Sequence, residues 1–166
     1  MLAASPGTGD PSSACDLVAT QTPKTLEVSG RKLGAKDGIK VDTYQCELLP
    51  GSGTVGLEFS EPPQGSITPQ IAWGSSYAIS TEWLSQLGYD GKAKADANIW
   101  SGTRIIQVCM WYTRGGAKVS DTVCSNAAST GGSWLSGPVK TMSVWDSLDP
   151  NAPHTIFNFS KVGINP

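Results

Sequence analysis

The chain has 166 residues, a net charge of −2 and only 16% charged residues, and its Lys and Arg are scattered. That rules out the basic stripe a phosphate backbone requires, so no nucleic-acid partner is expected. No stretch approaches the roughly 18 consecutive apolar residues of a membrane-spanning helix, so no transmembrane segment is expected.

The 19 Gly and 11 Pro suit short strands separated by many turns. The four cysteines, Cys15, Cys46, Cys109 and Cys124, allow three pairings. None stands close enough to another to form the C-x-x-C half of a zinc site, and no metal or cofactor is expected. The expected disulfides are Cys15–Cys46 and Cys109–Cys124, each local to its own half of the chain. They imply an oxidising compartment and a secreted or cell-surface protein.

Residues 1–14 contain Pro6, Gly7, Gly9 and Pro11 and read as a flexible N-terminus; the opening M-L-A-A-S reads as a mature end with an added Met1. Residues 15–166 read as one β-rich domain. Short apolar runs begin at Leu17-Val18-Ala19 and Leu26-Glu27-Val28, and the glycine-punctuated stretch 29–38 reads as loop. Ile39 to Leu48 alternates and is rich in β-branched residues, as a strand should be. Val55, Leu57 and Phe59 mark another strand, with Glu58 turned to solvent. Glu61-Pro62-Pro63-Gln64-Gly65 admits neither helix nor ladder interior and is a candidate boundary between two subdomains. All six tryptophans follow it.

After that break, Ile67 to Trp73 reads as a strand interrupted near Pro69. Ser80 to Gly88 reads as the one helix. Ser80 or Thr81 supplies a cap, Glu82 suits the positive end, Gly88 fits the C′ position, and Trp83, Leu84 and Leu87 form the apolar stripe. Ala93, Ala95, Ala97 and Ile99 alternate with polar residues as a half-exposed strand.

Residues 100–126 then form the most informative segment, two strands joined by glycines with a cysteine in each. A type II′ turn at Gly116-Ala117 places Cys109 directly opposite Cys124, whereas a Gly115-Gly116 turn leaves them diagonal. The bond therefore selects the first register unless a bulge changes the count, and reduction should loosen this hairpin first. Ile106, Val108 and Met110, joined by Val119 and Val123, make the core-facing side. The other side carries Ile105, Gln107, Trp111, Thr113, Ser120, Thr122 and the cysteines.

Residues 127–138 read as a Ser/Gly loop around Trp134. Val139 to Trp145 reads as a strand with Met142 and Val144 facing one way and Thr141, Ser143 and Trp145 the other. A turn-rich connection, 146–153, leads to a last strand from His154 to Phe159. The expected fold is all-β, a mainly antiparallel sandwich or barrel-like arrangement of about seven or eight strands.

Catalytic signatures are sparse. His154 is the lone histidine, Asp146 and Asp149 are the nearby carboxylates, and no G-x-S-x-G elbow presents a serine. Glu47, Glu58, Glu61 and Glu82 are the candidates for a glycosidic carboxylate pair, and the 146–151 stretch for calcium. Asn158-Phe159-Ser160 is an N-glycosylation sequon. The tryptophans point furthest: on a β-face they stack on sugar rings or anchor a protein partner. The candidate binding residues are Trp111, Trp134, Tyr112 and Trp100. The expected function is a non-catalytic secreted binding protein for a glycan or protein partner. The alternatives are an antibacterial or toxin-like β-protein and a small extracellular hydrolase.

Overall fold

The computed structural model describes residues 15–28, 30–48, 53–59, 76–83, 87–96, 104–127, 137–147, 149 and 151–164, leaving out the side chains of 31 and 104. Its strands are β1 (Cys15–Gln21), β2 (Leu26–Val28), β3 (Arg31–Leu33), β4 (Lys40–Glu47), β5 (Thr54–Glu58), β6 (Tyr77–Trp83), β7 (Gly88–Lys94), β8 (Arg104–Arg114), β9 (Ala117–Lys118), β10 (Val123–Asn126), β11 (Lys140–Trp145) and β12 (Thr155–Ile164). A 3-10 turn at Ala35–Asp37 is the helical element among the described residues.

The fold is all-β, antiparallel and sandwich-like. One sheet runs β1-β4-β12-β8-β10, with β9 also on β8; a second runs β11-β7-β6-β5; β2 and β3 form a separate ribbon. Neither large sheet closes on itself. Their inner faces meet through Tyr112 of β8 and Ser80 of β6, whose hydroxyls lie 2.8 Å apart. At Gly91 of β7 a side chain would press on Met110 and Tyr112 of the opposite sheet and on Met142, so the absence of one lets the sheets approach. Met110, Tyr112, Phe157 and Phe159 on one sheet and Ala78, Tyr89 and Ala93 on the other form the centre of the core.

The helix expected over 80–88 is not there. Tyr77–Trp83 is a strand, and Gly88 opens the next one. The cap signals at Ser80 and Thr81 are real, but in the fold burial alternates with period two over Tyr77-Ala78-Ile79-Ser80-Thr81. Ser80 is fully buried against Tyr112, a contact a helix would not make. The strand expected through Ala97 and Ile99 ends at Lys94, with Ala93 and Ala95 buried as its inner face requires. The stretch 67–73 lies outside the described residues.

The central hairpin keeps its disulfide but not its expected turn. Thr113 pairs with Lys118 and Arg114 with Ala117, so the two-residue loop is Gly115-Gly116. Both have positive φ, 62° and 85°, which a type I′ turn demands of both central residues. Cys124 nevertheless pairs with Cys109. The register between the two pairings shifts by two residues across Val119 to Thr122, and Ser120 Oγ accepts the backbone N–H of Tyr112 at 2.8 Å in that irregular stretch. Both expected disulfides form, Cys15–Cys46 and Cys109–Cys124.

Burial pushes the phenols of Tyr112 and Tyr89 well above their ordinary range; Asp146 beside Tyr89 adds to the effect there, and Ser80 partly opposes it at Tyr112. Tyr44 is raised in the same way. Between about pH 10 and those higher values the unfolded chain loses protons that the folded chain keeps, so stability falls with rising pH. Burial lowers Lys161, against the pull of Asp42, and this acts in the opposite sense below its ordinary value of about 10.4. Denaturant unfolding at stepped pH should therefore show net loss above about pH 10.5, with Tyr112→Phe flattening the slope. A slope unchanged by that substitution would count against a buried neutral phenol.

Candidate functional site

Of the four tryptophan and tyrosine positions expected to bind, the two described ones, Trp111 and Tyr112, lie on opposite faces of their strand. Trp111 is half-buried on the outer face of the five-strand path, opposite Asn158 of β12 and on the same strand as the bonded Cys109. Tyr112 points the other way. It is 0% exposed, stacks near Tyr89 and Phe157, and is a core residue, which removes it from any surface. Trp100 and Trp134 lie outside the described residues. The sequon at Asn158 is closed as well: its side chain is buried and Nδ2 donates to Thr113 Oγ1 at 3.0 Å.

A different tryptophan pair is presented to solvent. Strands β6, β7 and β11 align Trp83 with Gly88 and Gly88 with Trp145. Alternation sends Ala78, Ser80, Tyr89, Gly91, Ala93, Met142 and Val144 toward the core, and Trp83, Gly88 and Trp145 to the outer face. Trp145 is 67% exposed, more than the other large apolar side chains that stand out among the described residues. Its ring meets Trp83 in a T-shaped arrangement, centroids 4.9 Å apart at 69°. Gly88 between them is a seat: a Cβ there would fall inside the Trp83 indole. The Trp83 Nε1–H is buried and has no hydrogen-bond partner among the described residues.

The rows beside this pair are polar. One step of about 6.8 Å along the strands brings Thr54, Thr81, Asp90 and Ser143 into register across the face. Ser143 donates to Asp90 Oδ1 at 2.6 Å, and the Thr54 and Thr81 hydroxyls lie 3.1 Å apart. The next row holds Gly56, Ile79, Lys92 and Thr141.

Trp145 is anchored from behind by its neighbour in sequence. Asp146 accepts the hydroxyls of Thr155 at 2.6 Å and Tyr89 at 3.1 Å. Arg114 donates to the Trp145 carbonyl at 2.7 Å and to Thr155 at 3.1 Å, and its guanidinium lies 3.8 Å from Asp146. Strands β7, β8, β11 and β12 are thus tied at the point where Trp145 leaves the sheet.

The catalytic candidates are dispersed. Asp146 is committed to the anchor, Asp149 accepts the backbone N–H of Asn151 at 2.9 Å in a turn, and His154 is exposed. Glu58 pairs with Tyr77 and Glu82 with Tyr89, on opposite faces of one sheet. Glu47 is exposed on the other sheet, and Glu61 lies outside the described residues. Among the described residues no three His, Cys, Asp or Glu side chains gather as metal ligands. No described helix is long and apolar enough to cross a membrane. A recess on the β2–β3 ribbon is lined by Thr25, Leu26, Glu27, Lys32 and Leu33, and these described residues include neither an aromatic side chain nor two carboxylates.

No protein-family model and no curated protein matches the chain. Among solved structures it is similar to the enzymatically active domain of bacteriophage CBA120 tailspike protein 4, at 11% identity and a TM-score of 0.20. The match takes in 92% of this chain but 18% of that one, so the chain spans less than a fifth of that protein's length. A likeness this slight carries no argument about function.

Proposed function

We propose that this is a secreted or cell-surface, non-catalytic binding protein that takes a glycan on the outer face of the β11-β7-β6-β5 sheet, with Trp145 as the stacking surface. The observation behind the reading is the position of Trp145: an indole 67% exposed at the end of edge strand β11, bordered by a row of hydroxyls and a carboxylate. Exposed indole area is unfavourable in water, and a sugar ring offers it a C–H-rich face while its hydroxyls need polar partners nearby. Threonine, serine and aspartate in the adjoining row supply those partners. The two disulfides agree with an extracellular setting.

Calorimetry or tryptophan fluorescence against a panel of soluble oligosaccharides tests this. Trp145→Ala should weaken binding about tenfold or more, equivalent to roughly 1.4 kcal/mol. It should cost at most about 1 kcal/mol of stability, since the side chain is largely exposed and its main described ring contact is Trp83. Trp111→Ala, on the opposite outer surface, should leave affinity unchanged. Equal affinities for wild type and Trp145→Ala, or no glycan bound at all, would overturn the proposal.

A further inference from the structure

We infer that the glycan is a neutral, pyranose-based chain, that Asp90 selects it, and that uronic or sialic polymers bind more weakly; this rests on the reading of Trp145 given above. The charges on the face carry the argument. Asp90 is exposed in the row directly beside the tryptophans, about 6.8 Å along the strand from Gly88. Its Oδ1 accepts from Ser143, which leaves the second carboxylate oxygen to accept hydroxyl protons from a bound sugar. A pyranose ring is about as wide as this step, so a ring stacked on Trp145 brings its edge hydroxyls to Asp90 and Ser143.

The cations near the face are unsuited to an anionic sugar. Arg114, closest to Trp145, donates to the Trp145 carbonyl and to Thr155 and faces Asp146, so its charge is already matched. Lys94 is bonded to Asp96. Lys92 lies in the row beyond Asp90, about 13.6 Å along the strand from Gly88, so a ring stacked on Trp145 lies nearer the negative charge than the positive one. Neutral hydroxyls gain from Asp90 and meet no such repulsion.

Two hexasaccharides of equal length, a neutral β-linked glucan and an oligogalacturonate, distinguish the sources of binding. The intact disulfide-bonded chain should bind the neutral hexamer about fivefold or more tighter at low ionic strength, the gap narrowing in high salt. Asp90→Asn keeps an oxygen acceptor for Ser143 but removes the charge. It should weaken the neutral hexamer about threefold and shrink the discrimination, and Asp90→Lys should invert it. Preference for the uronate, or a discrimination that Asp90→Asn leaves unchanged, overturns the assignment of Asp90. In that case Trp145→Ala still weakening the preferred hexamer would leave the stacking face standing. Binding of neither hexamer, or binding indifferent to Trp145, counts against the stacking face itself.

Discussion

Phe157→Ala should cost about 3–5 kcal/mol in chemical denaturation. Phe157 is fully buried on β12, the central strand of its sheet, which pairs with β4 on one side and β8 on the other. Its ring lies 5.2 Å from Tyr112 and 5.5 Å from Phe159, so truncation opens a cavity where three aromatic rings meet. Long strands paired on both sides relax poorly, which places the cost at the upper end of the usual range. Domains of this size hold only about 5–15 kcal/mol in total, so the variant should be depleted of folded protein well before the wild type on heating. A loss under about 1 kcal/mol would mean that this part of the core repacks freely.

Asp146→Ala should cost about 2–3 kcal/mol and weaken glycan binding as well. The carboxylate accepts from Thr155, Tyr89 and the backbone N–H of Ser147, and lies opposite Arg114. Its removal leaves the hydroxyl of the buried Tyr89 without its acceptor and the half-buried Arg114 guanidinium without the negative charge it faces. Asp146→Asn retains an acceptor oxygen and should recover part of the loss. The link to binding is positional. Arg114 holds the Trp145 carbonyl, and freeing its other contacts loosens the end of β11 that carries the indole. Affinity for a stacked sugar should then fall severalfold, while Asp146→Ala added to Trp145→Ala should give little further loss. Full affinity in a destabilised Asp146→Ala would show that the anchor serves the fold alone.

Much of this architecture is legible along the chain. Period-two alternation identifies β4, β5, β8 and β11, in which one face is turned further into the core than the other. An even cysteine count and the spacing of the central hairpin indicate both disulfides. The outward direction of Trp145 also follows from Met142 and Val144 pointing inward on the same strand. The alternation that buries Ile106, Val108 and Met110 likewise sends Tyr112 inward, opposite to its neighbour Trp111. Period two separates adjacent residues, so two consecutive aromatics cannot share one binding face of a strand.

Elsewhere, local chemistry is outweighed by contacts distant in sequence. Ser80-Thr81-Glu82 carries the start signals of a helix, yet the hydroxyl of Ser80 is satisfied by Tyr112, thirty-two positions away. Either Gly116-Ala117 or Gly115-Gly116 could turn the hairpin, and the two-residue slip at Val119–Thr122 restores the pairing of the cysteines that the turn alone would have broken. The tryptophan pair is of the same kind. Trp83, Gly88 and Trp145 become neighbours only because β6, β7 and β11 pair in one register, and the seat on Gly88 exists only once that register is set. Composition, alternation and cysteine spacing thus determined the fold class, the covalent frame and the outward face of each well-patterned strand. Those depend on which side of a strand is apolar, a property written into consecutive residues. Which aromatics share a surface was decided by strand pairing, an equilibrium among distant segments that no local pattern encodes.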